Sequence, residues 1–212
     1  MFYRHKTNSL IRSFYPSSFI WDLKKKEEKK IYLTFDDGPI PSLTEFVLEE
    51  LAKYNAKATF FCVGHNIQKH PSIFNQLIQQ NHQIGNHTFY HRNGWKTKTK
   101  EYVKDIEKCN ELISEKTGIK CSLFRPPYGL ITRRQVRNLS SYKIIMWDML
   151  SGDFDQKIKK EKVLEKSIKY TESGSIALFH DNIKATTNIK HTLPFYLDHF
   201  HQLGYQFAKL EL

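Results

Sequence analysis

From Ile31 onward, short runs rich in β-branched and aromatic residues alternate with longer stretches of helical periodicity, and that alternation restricts the fold more than any other feature of the chain. Seven runs read as strands: 31–35, 58–62, 83–86, 123–125, 143–147, 175–179 and 205–210. Between the first two, Ser42 and Glu45 have capping-box spacing ahead of Phe46, Leu48 and Leu51, which announces a helix start and its apolar face. Pro71 opens the next helix. Between 99 and 116, Val103, Ile106, Cys109 and Ile113 recur at helical spacing, and Gly118 ends the pattern. Val163, Leu164 and Ile168 mark a helix ending near Gly174, and a last one runs from about Thr192 to Gly204. An α/β chain of this kind needs parallel strands joined by right-handed crossovers, in a doubly wound sheet or a closed barrel. Either architecture brings ligands to the carboxyl ends of the strands.

At 212 residues, of which 40% are apolar, the chain is sized for one globular domain. Residues 1–30 are irregular and end in the charged run Lys24 to Lys30, so they read as an N-terminal extension of a domain spanning 31–212. The net charge of +11 attracts polyanions in general. The excess is Lys scattered over helix faces and through a run that also holds Glu27 and Glu28, and no nucleic-acid motif accompanies it. A solvated surface with no nucleic-acid partner is the expectation. Cys62, Cys109 and Cys121 form no C-x-x-C pair and are expected as packed thiols, a Cys109–Cys121 bridge being left open. No apolar h-region follows Arg4, His5 and Lys6, and no run approaches the length of a membrane span, so the default expectation is a cytoplasmic location.

Five short motifs follow predicted strands. Thr34-Phe35-Asp36-Asp37-Gly38-Pro39 puts adjacent carboxylates at a turn that Gly and Pro force. His87-Thr88-Phe89-Tyr90-His91 spaces two imidazoles one helical turn apart, a separation from which both reach one tetrahedral metal. Thr88 occupies the place of the Glu base in the zinc-protease H-E-x-x-H pattern, so a base must come from elsewhere. Arg125-Pro126-Pro127-Tyr128-Gly129 presents a guanidinium stiffly. Trp147-Asp148 is followed by Asp153-Phe154, and Leu178-Phe179-His180-Asp181 ends the sixth run. Each has an ordinary reading as a capped turn, a rigid loop or a satisfied strand-end histidine. Their shared position at strand ends is what chance would not produce.

In this order the motifs resemble the polysaccharide deacetylases, the NodB-homology enzymes of carbohydrate esterase family 4, over roughly residues 31 to 210. The resemblance implies a distorted (β/α) barrel with about seven parallel strands. It implies Asp37, His87 and His91 as ligands of one divalent metal, Zn2+ or another such as Co2+, and Asp36 as general base paired with Arg125. It further implies the Tyr128 backbone N–H at the oxyanion, His180 as general acid oriented by Asp153, and Leu178 and Phe154 around the acetyl methyl. Two departures from the family stand out: Phe154 where Trp is common, and Leu150 where Asp is frequent.

The chemistry of these residue types agrees with those roles. Two His and a carboxylate leave a zinc an open position and bring the pKa of water there to about 7. A carboxylate takes the proton, and a protonated His supplies one to a departing amine. The expected activity is hydrolysis of N-acetyl groups on amino sugars of a peptidoglycan, a chitin-like oligomer or a related bacterial glycan. The alternatives are an O-acetyl esterase of acetylated glycans and, from another class, a non-catalytic glycan-binding module, which would need neither Asp36 nor His180.

Overall fold

Along β1 (Lys30–Asp36), Ile31, Leu33 and Phe35 are buried on one face and Thr34 and Asp36 on the other, the two-sided burial of a central parallel strand. The computed structural model describes residues 4–23 and 28–212, so much of the charged run 24–30 lies outside the described residues. After β1 come β2 (Thr59–Cys62), β3 (Gln83–Asn86), β4 (Leu123–Phe124), β5 (Lys143–Ile144), β6 (Met149–Leu150), β7 (Ile176–His180) and β8 (Gln206–Ala208). Seven follow the spatial order β5-β4-β3-β2-β1-β7-β6, and β8 lies beside the start of β1. All pair in parallel.

Helices connect them: α1 (Ser9–Arg12) in the extension, then α2 (Leu43–Ala52), α3 (Gly64–Lys69), α4 (Pro71–Gln79), α5 (Thr99–Thr117), α6 (Arg133–Arg137), α7 (Lys160–Tyr170) and α8 (Thr186–Gln202). Ile31, Leu33, Phe35, Phe60 and Phe179 face outward into one cluster with Val47, Leu51, Leu193 and Leu197 of the helices. Burying each large side chain of this kind contributes roughly 1.5–3 kcal/mol. Phe61, Leu123, Ile145, Ile176 and Leu210 meet on the inner face, although they come from strands and flanking segments that are not all neighbours in the sheet. Only a curled sheet permits that meeting, so the fold is the expected distorted barrel.

The expected strand over 143–147 is divided. Ile145 and Met146 give their carbonyls to Arg125, and Met146 donates its N–H to Ile20 of the extension, so the chain leaves the ladder and rejoins it as β6. The strand expected over 123–125 stops at Phe124, and the last helix starts at Thr186 rather than near Thr192, carrying Pro194 inside it. Between β5 and β6 the sheet is spanned by the extension, with bridges Ile20–Ile145, Lys6–Met149 and Asp22–Ser175. Residues 4–23 are therefore not wholly irregular. Asp148, fully buried, accepts from Lys6 Nζ at 2.7 Å, Arg12 Nη2 at 2.6 Å and Ser175 Oγ at 2.6 Å. All three cysteines are free and buried, which excludes the Cys109–Cys121 bridge. No helix among the described residues is long and apolar enough to cross a membrane.

Candidate active site

β1 ends in the carboxylate pair. Asp37 turns the chain with φ of 85°, a conformation a non-glycine residue adopts only under restraint. Its carbonyl accepts from Asn66 Nδ2 at 2.7 Å, its N–H reaches Phe61 O, and its Oδ2 accepts from Asn182 Nδ2 at 2.5 Å. Gly38 follows, and a Cβ there would fall 1.9 Å from Asp181 Oδ2. That approach lets buried Asp181 accept from Gly38 N–H at 3.0 Å and Thr44 Oγ1 at 2.6 Å, clamping the turn. Burial pushes the Asp181 carboxyl up to about 8, against the lowering effect of its Thr44 hydrogen bond.

The two imidazoles lie on a loop, not on the helical turn their spacing suggested: Thr88 and His91 have φ of 63° and 53°. Asp105 of α5 shapes this loop by accepting from the N–H groups of Phe89 and Tyr90 and from Arg92 Nε, at 2.8, 3.0 and 3.0 Å. His87 Nδ1 lies 2.8 Å from the Arg125 carbonyl. An imidazole nitrogen facing a carbonyl must carry the proton, so in the neutral ring the Nε2 lone pair points at Asp37 Oδ1, 3.4 Å away. His91 Nε2 is 3.0 Å from the same oxygen, which is buried without a hydrogen-bond partner. The three ligand atoms lie within 4.8 Å of one another. Lone pairs converging on an unsatisfied carboxylate oxygen fit a divalent cation.

Arg125 is fully buried. Nη1 donates to Asp36 Oδ1 at 2.7 Å and Thr34 Oγ1 at 2.8 Å, while Nε and Nη2 serve the carbonyls of Ile145 and Met146. Its guanidinium carbon stands 4.1 Å from the centroid of the Phe61 ring. Burial lowers its pKa and Asp36 opposes the shift. Asp36 therefore has one oxygen engaged and the other, Oδ2, 3.7 Å from His87 Nε2. Asp36 and His180 are register partners across β1 and β7, which puts them at one level of the rim. His180 Nδ1 is 2.8 Å from Asp153 Oδ1, and the other carboxylate oxygen accepts the His180 backbone N–H at 2.8 Å. Burial alone would lower the imidazole, but the charge and hydrogen bond of Asp153 outweigh it and raise His180 to about 9.

Phe154 packs edge-on against the His180 ring, with centroids 5.0 Å apart. Leu178 lies two residues down β7 on the same face as His180, paired with Leu150 of β6, so Leu150 extends an apolar floor. Tyr128, at φ of 62° in the turn Pro127–Gly129, sets its half-exposed ring 4.7 Å from that of His91. Asp36, Asp37, His87, His91, Arg125, Tyr128, Asp153, Phe154, Leu178 and His180 are thus at or beside this rim, whereas Asp148 of the Trp147-Asp148 pair turns away to Lys6, Arg12 and Ser175. Asn66, Asp105 and Asn182 gave no signal, being single polar residues in unremarkable surroundings. Asp181 was visible beside His180 without a role.

A family pattern described as polysaccharide deacetylase matches residues 23–147. The peptidoglycan-N-acetylglucosamine deacetylase PgdA of Listeria monocytogenes is 32% identical over 188 residues, 89% of this chain and 39% of its own length. This chain thus spans about two fifths of that relative. A Bacillus cereus peptidoglycan-N-acetylglucosamine deacetylase is 30% identical over 197 residues, 91% of this chain and 92% of its own. A solved peptidoglycan N-acetylglucosamine deacetylase superposes with a TM-score of 0.85 at 28% identity, covering 91% of each chain. With the family pattern running from β1 past Arg125 and similarity over nearly the whole of a relative its own size, the chain belongs to the polysaccharide deacetylase family.

Proposed function

We propose that this protein is a metal-dependent N-deacetylase acting on amino sugars of a poly- or oligosaccharide, with Asp37, His87 and His91 holding one divalent ion, Zn2+ by donor type. The observation that carries this reading is the placement of Asp36 and His180 at one level of the rim, a carboxylate and an imidazole backed by Asp153 beside the candidate ligand triad. The names of the relatives, peptidoglycan N-acetylglucosamine deacetylases, support an N-acetylated bacterial glycan as substrate. A divalent ion at the triad supplies Lewis acidity to the acetyl carbonyl and acidifies water.

The remaining work belongs to the chain. Asp36, oriented through Oδ1 by Arg125, accepts the proton of the attacking water on Oδ2. The Tyr128 backbone N–H donates to the developing oxyanion, a fixed dipole that needs no reorganisation as the charge develops. His180 holds its proton at neutral pH because Asp153 keeps the imidazolium stable, and it delivers that proton to the amine as the C–N bond breaks. Leu178 and Phe154 border the methyl group of the acetyl. Acetate release from N-acetylglucosamine oligomers, peptidoglycan and acetyl xylan, with and without added zinc, tests the reading. Release from the first two that depends on zinc supports it. Release from acetyl xylan alone assigns an O-acetyl esterase, and no release from any substrate overturns the catalytic reading.

A further inference from the structure

Trp95 is 65% exposed, yet its surroundings hold it still. Its indole N–H donates to the Ile131 carbonyl at 3.3 Å and its backbone N–H to Asn93 Oδ1 at 3.0 Å. The single turn Gly94–Lys96 that carries it is fastened from below by buried Gln135, whose Nε2 donates to Gly94 O at 2.8 Å and Thr97 O at 3.1 Å. Gly94 packs so closely on the neighbouring loop that a Cβ would sit 2.4 Å from Leu130 O. The ring therefore rides on two loops locked together, one following β3 and holding His91, the other following β4 and holding Tyr128. Ile131, where the indole is tethered, is three residues from Tyr128, at most about 11 Å along an extended chain. A Trp kept rigid and open to solvent beside a reaction centre gains nothing for the core, but it offers a flat electron-rich face whose side-chain entropy is already spent.

The two loops, with the first residues of α5 and the short helix α6 that follow them, carry one sign of charge. Segments 88–100 and 126–142 contain no Asp or Glu. Lys96, Lys98, Lys100, Arg133 and Arg134 are all exposed, and none forms an ion pair among the described residues.

We propose that Trp95 is a binding platform for a second sugar of the same glycan chain, stacking on its C–H face, and that the basic side chains around it select a sugar carrying a negative charge. This rests on the deacetylase reading for its substrate class, and deepens it: the enzyme acts on acidic oligomers in preference to single sugars.

The test measures binding and acetate release separately, using N-acetylglucosamine, its neutral tetramer, and a tetramer whose alternate sugars carry a carboxylate. Trp95→Ala is expected to weaken binding of both tetramers about tenfold and leave the single sugar and aryl acetate hydrolysis unchanged, while Trp95→Phe keeps most of the affinity. The carboxylated tetramer is expected to bind more tightly than the neutral one, by a margin that shrinks as salt is raised. Unchanged tetramer affinity in Trp95→Ala overturns the platform, as does equal loss on tetramer and single sugar. Equal affinity for the two tetramers overturns the selection for charge. Trp95-dependent binding without acetate release sinks the deacetylase reading alone, and acetate release with no effect of Trp95 sinks the platform alone.

Discussion

Asp36 and Asp37 are adjacent in sequence but do different things, because the turn at Asp37 aims one carboxylate at the two imidazoles while Arg125 holds the other on the strand. Asp36→Asn keeps the shape and removes the proposed proton acceptor. It is expected to lower kcat about 10²–10⁴-fold with the metal content per chain unchanged by elemental analysis. His180 is separable by leaving group. An amine must be protonated as it departs and a phenolate need not be, so His180→Ala should lose about 10²–10⁴-fold on N-acetyl sugars and much less on an aryl acetate. Equal losses would make the role of His180 structural. The raised pKa gives a sign as well. His180 is protonated below about 9, so kcat/KM should fall as pH rises through that value. In Asp153→Asn, with the carboxylate charge gone, this alkaline limb should move down toward the ordinary imidazole value of 6.5. A limb that stays in place would detach it from His180.

The loop after β3 shows what an element can hide. Its His spacing was legible, and the helical geometry that spacing implied is absent, because Asp105 draws the Phe89 and Tyr90 N–H groups across to α5 and leaves Thr88 and His91 left-handed. No periodicity within the loop announces a partner sixteen residues away. Asp105→Ala should therefore leave the far-ultraviolet circular dichroism nearly unchanged and weaken metal binding about 10–100-fold, the usual effect of removing support behind the ligands. Zinc affinity equal to the parent's would show that the loop keeps its shape without it. The division of the fifth predicted strand has a similar origin. Ile145 and Met146 have strand-like composition, but a buried guanidinium competes for their carbonyls, because N–H donors shut away from water need acceptors.

At the scale of the molecule, the extension completes the barrel where the sheet does not. Two cations from residues 4–23 share the Asp148 carboxylate, and they retain about a quarter of their side-chain exposure while Asp148 has none. Asp148→Asn leaves them without that charge across the β5–β6 seam. Since both can partly rehydrate, the cost should lie at the low end for a broken buried pair, about 3 kcal/mol, read as a lower denaturant midpoint. A midpoint unchanged from the parent's would mean that the bridges at Ile20, Lys6 and Asp22 hold the extension without the ion pairs.

The alternation of strand and helix periods, and the reactive residues at strand ends, are local properties. A window of ten residues contains both the apolar pattern that makes a parallel strand and the turn that stops it, so the alternating α/β class and the places of Asp36, His87, Arg125 and His180 were legible from the chain, while the barrel rather than a doubly wound sheet came only with the family resemblance. What tertiary structure alone decided are the pairings between residues far apart in sequence. These are the register that levels Asp36 with His180, the choice of Met146 O and Thr34 Oγ1 as acceptors for Arg125, the Asp181 clamp on Gly38, and the Asn182 hydrogen bond to Asp37. Such contacts leave no period in the sequence, because they depend on which side chains the curled sheet brings within hydrogen-bond distance and on the need of each buried donor there for an acceptor.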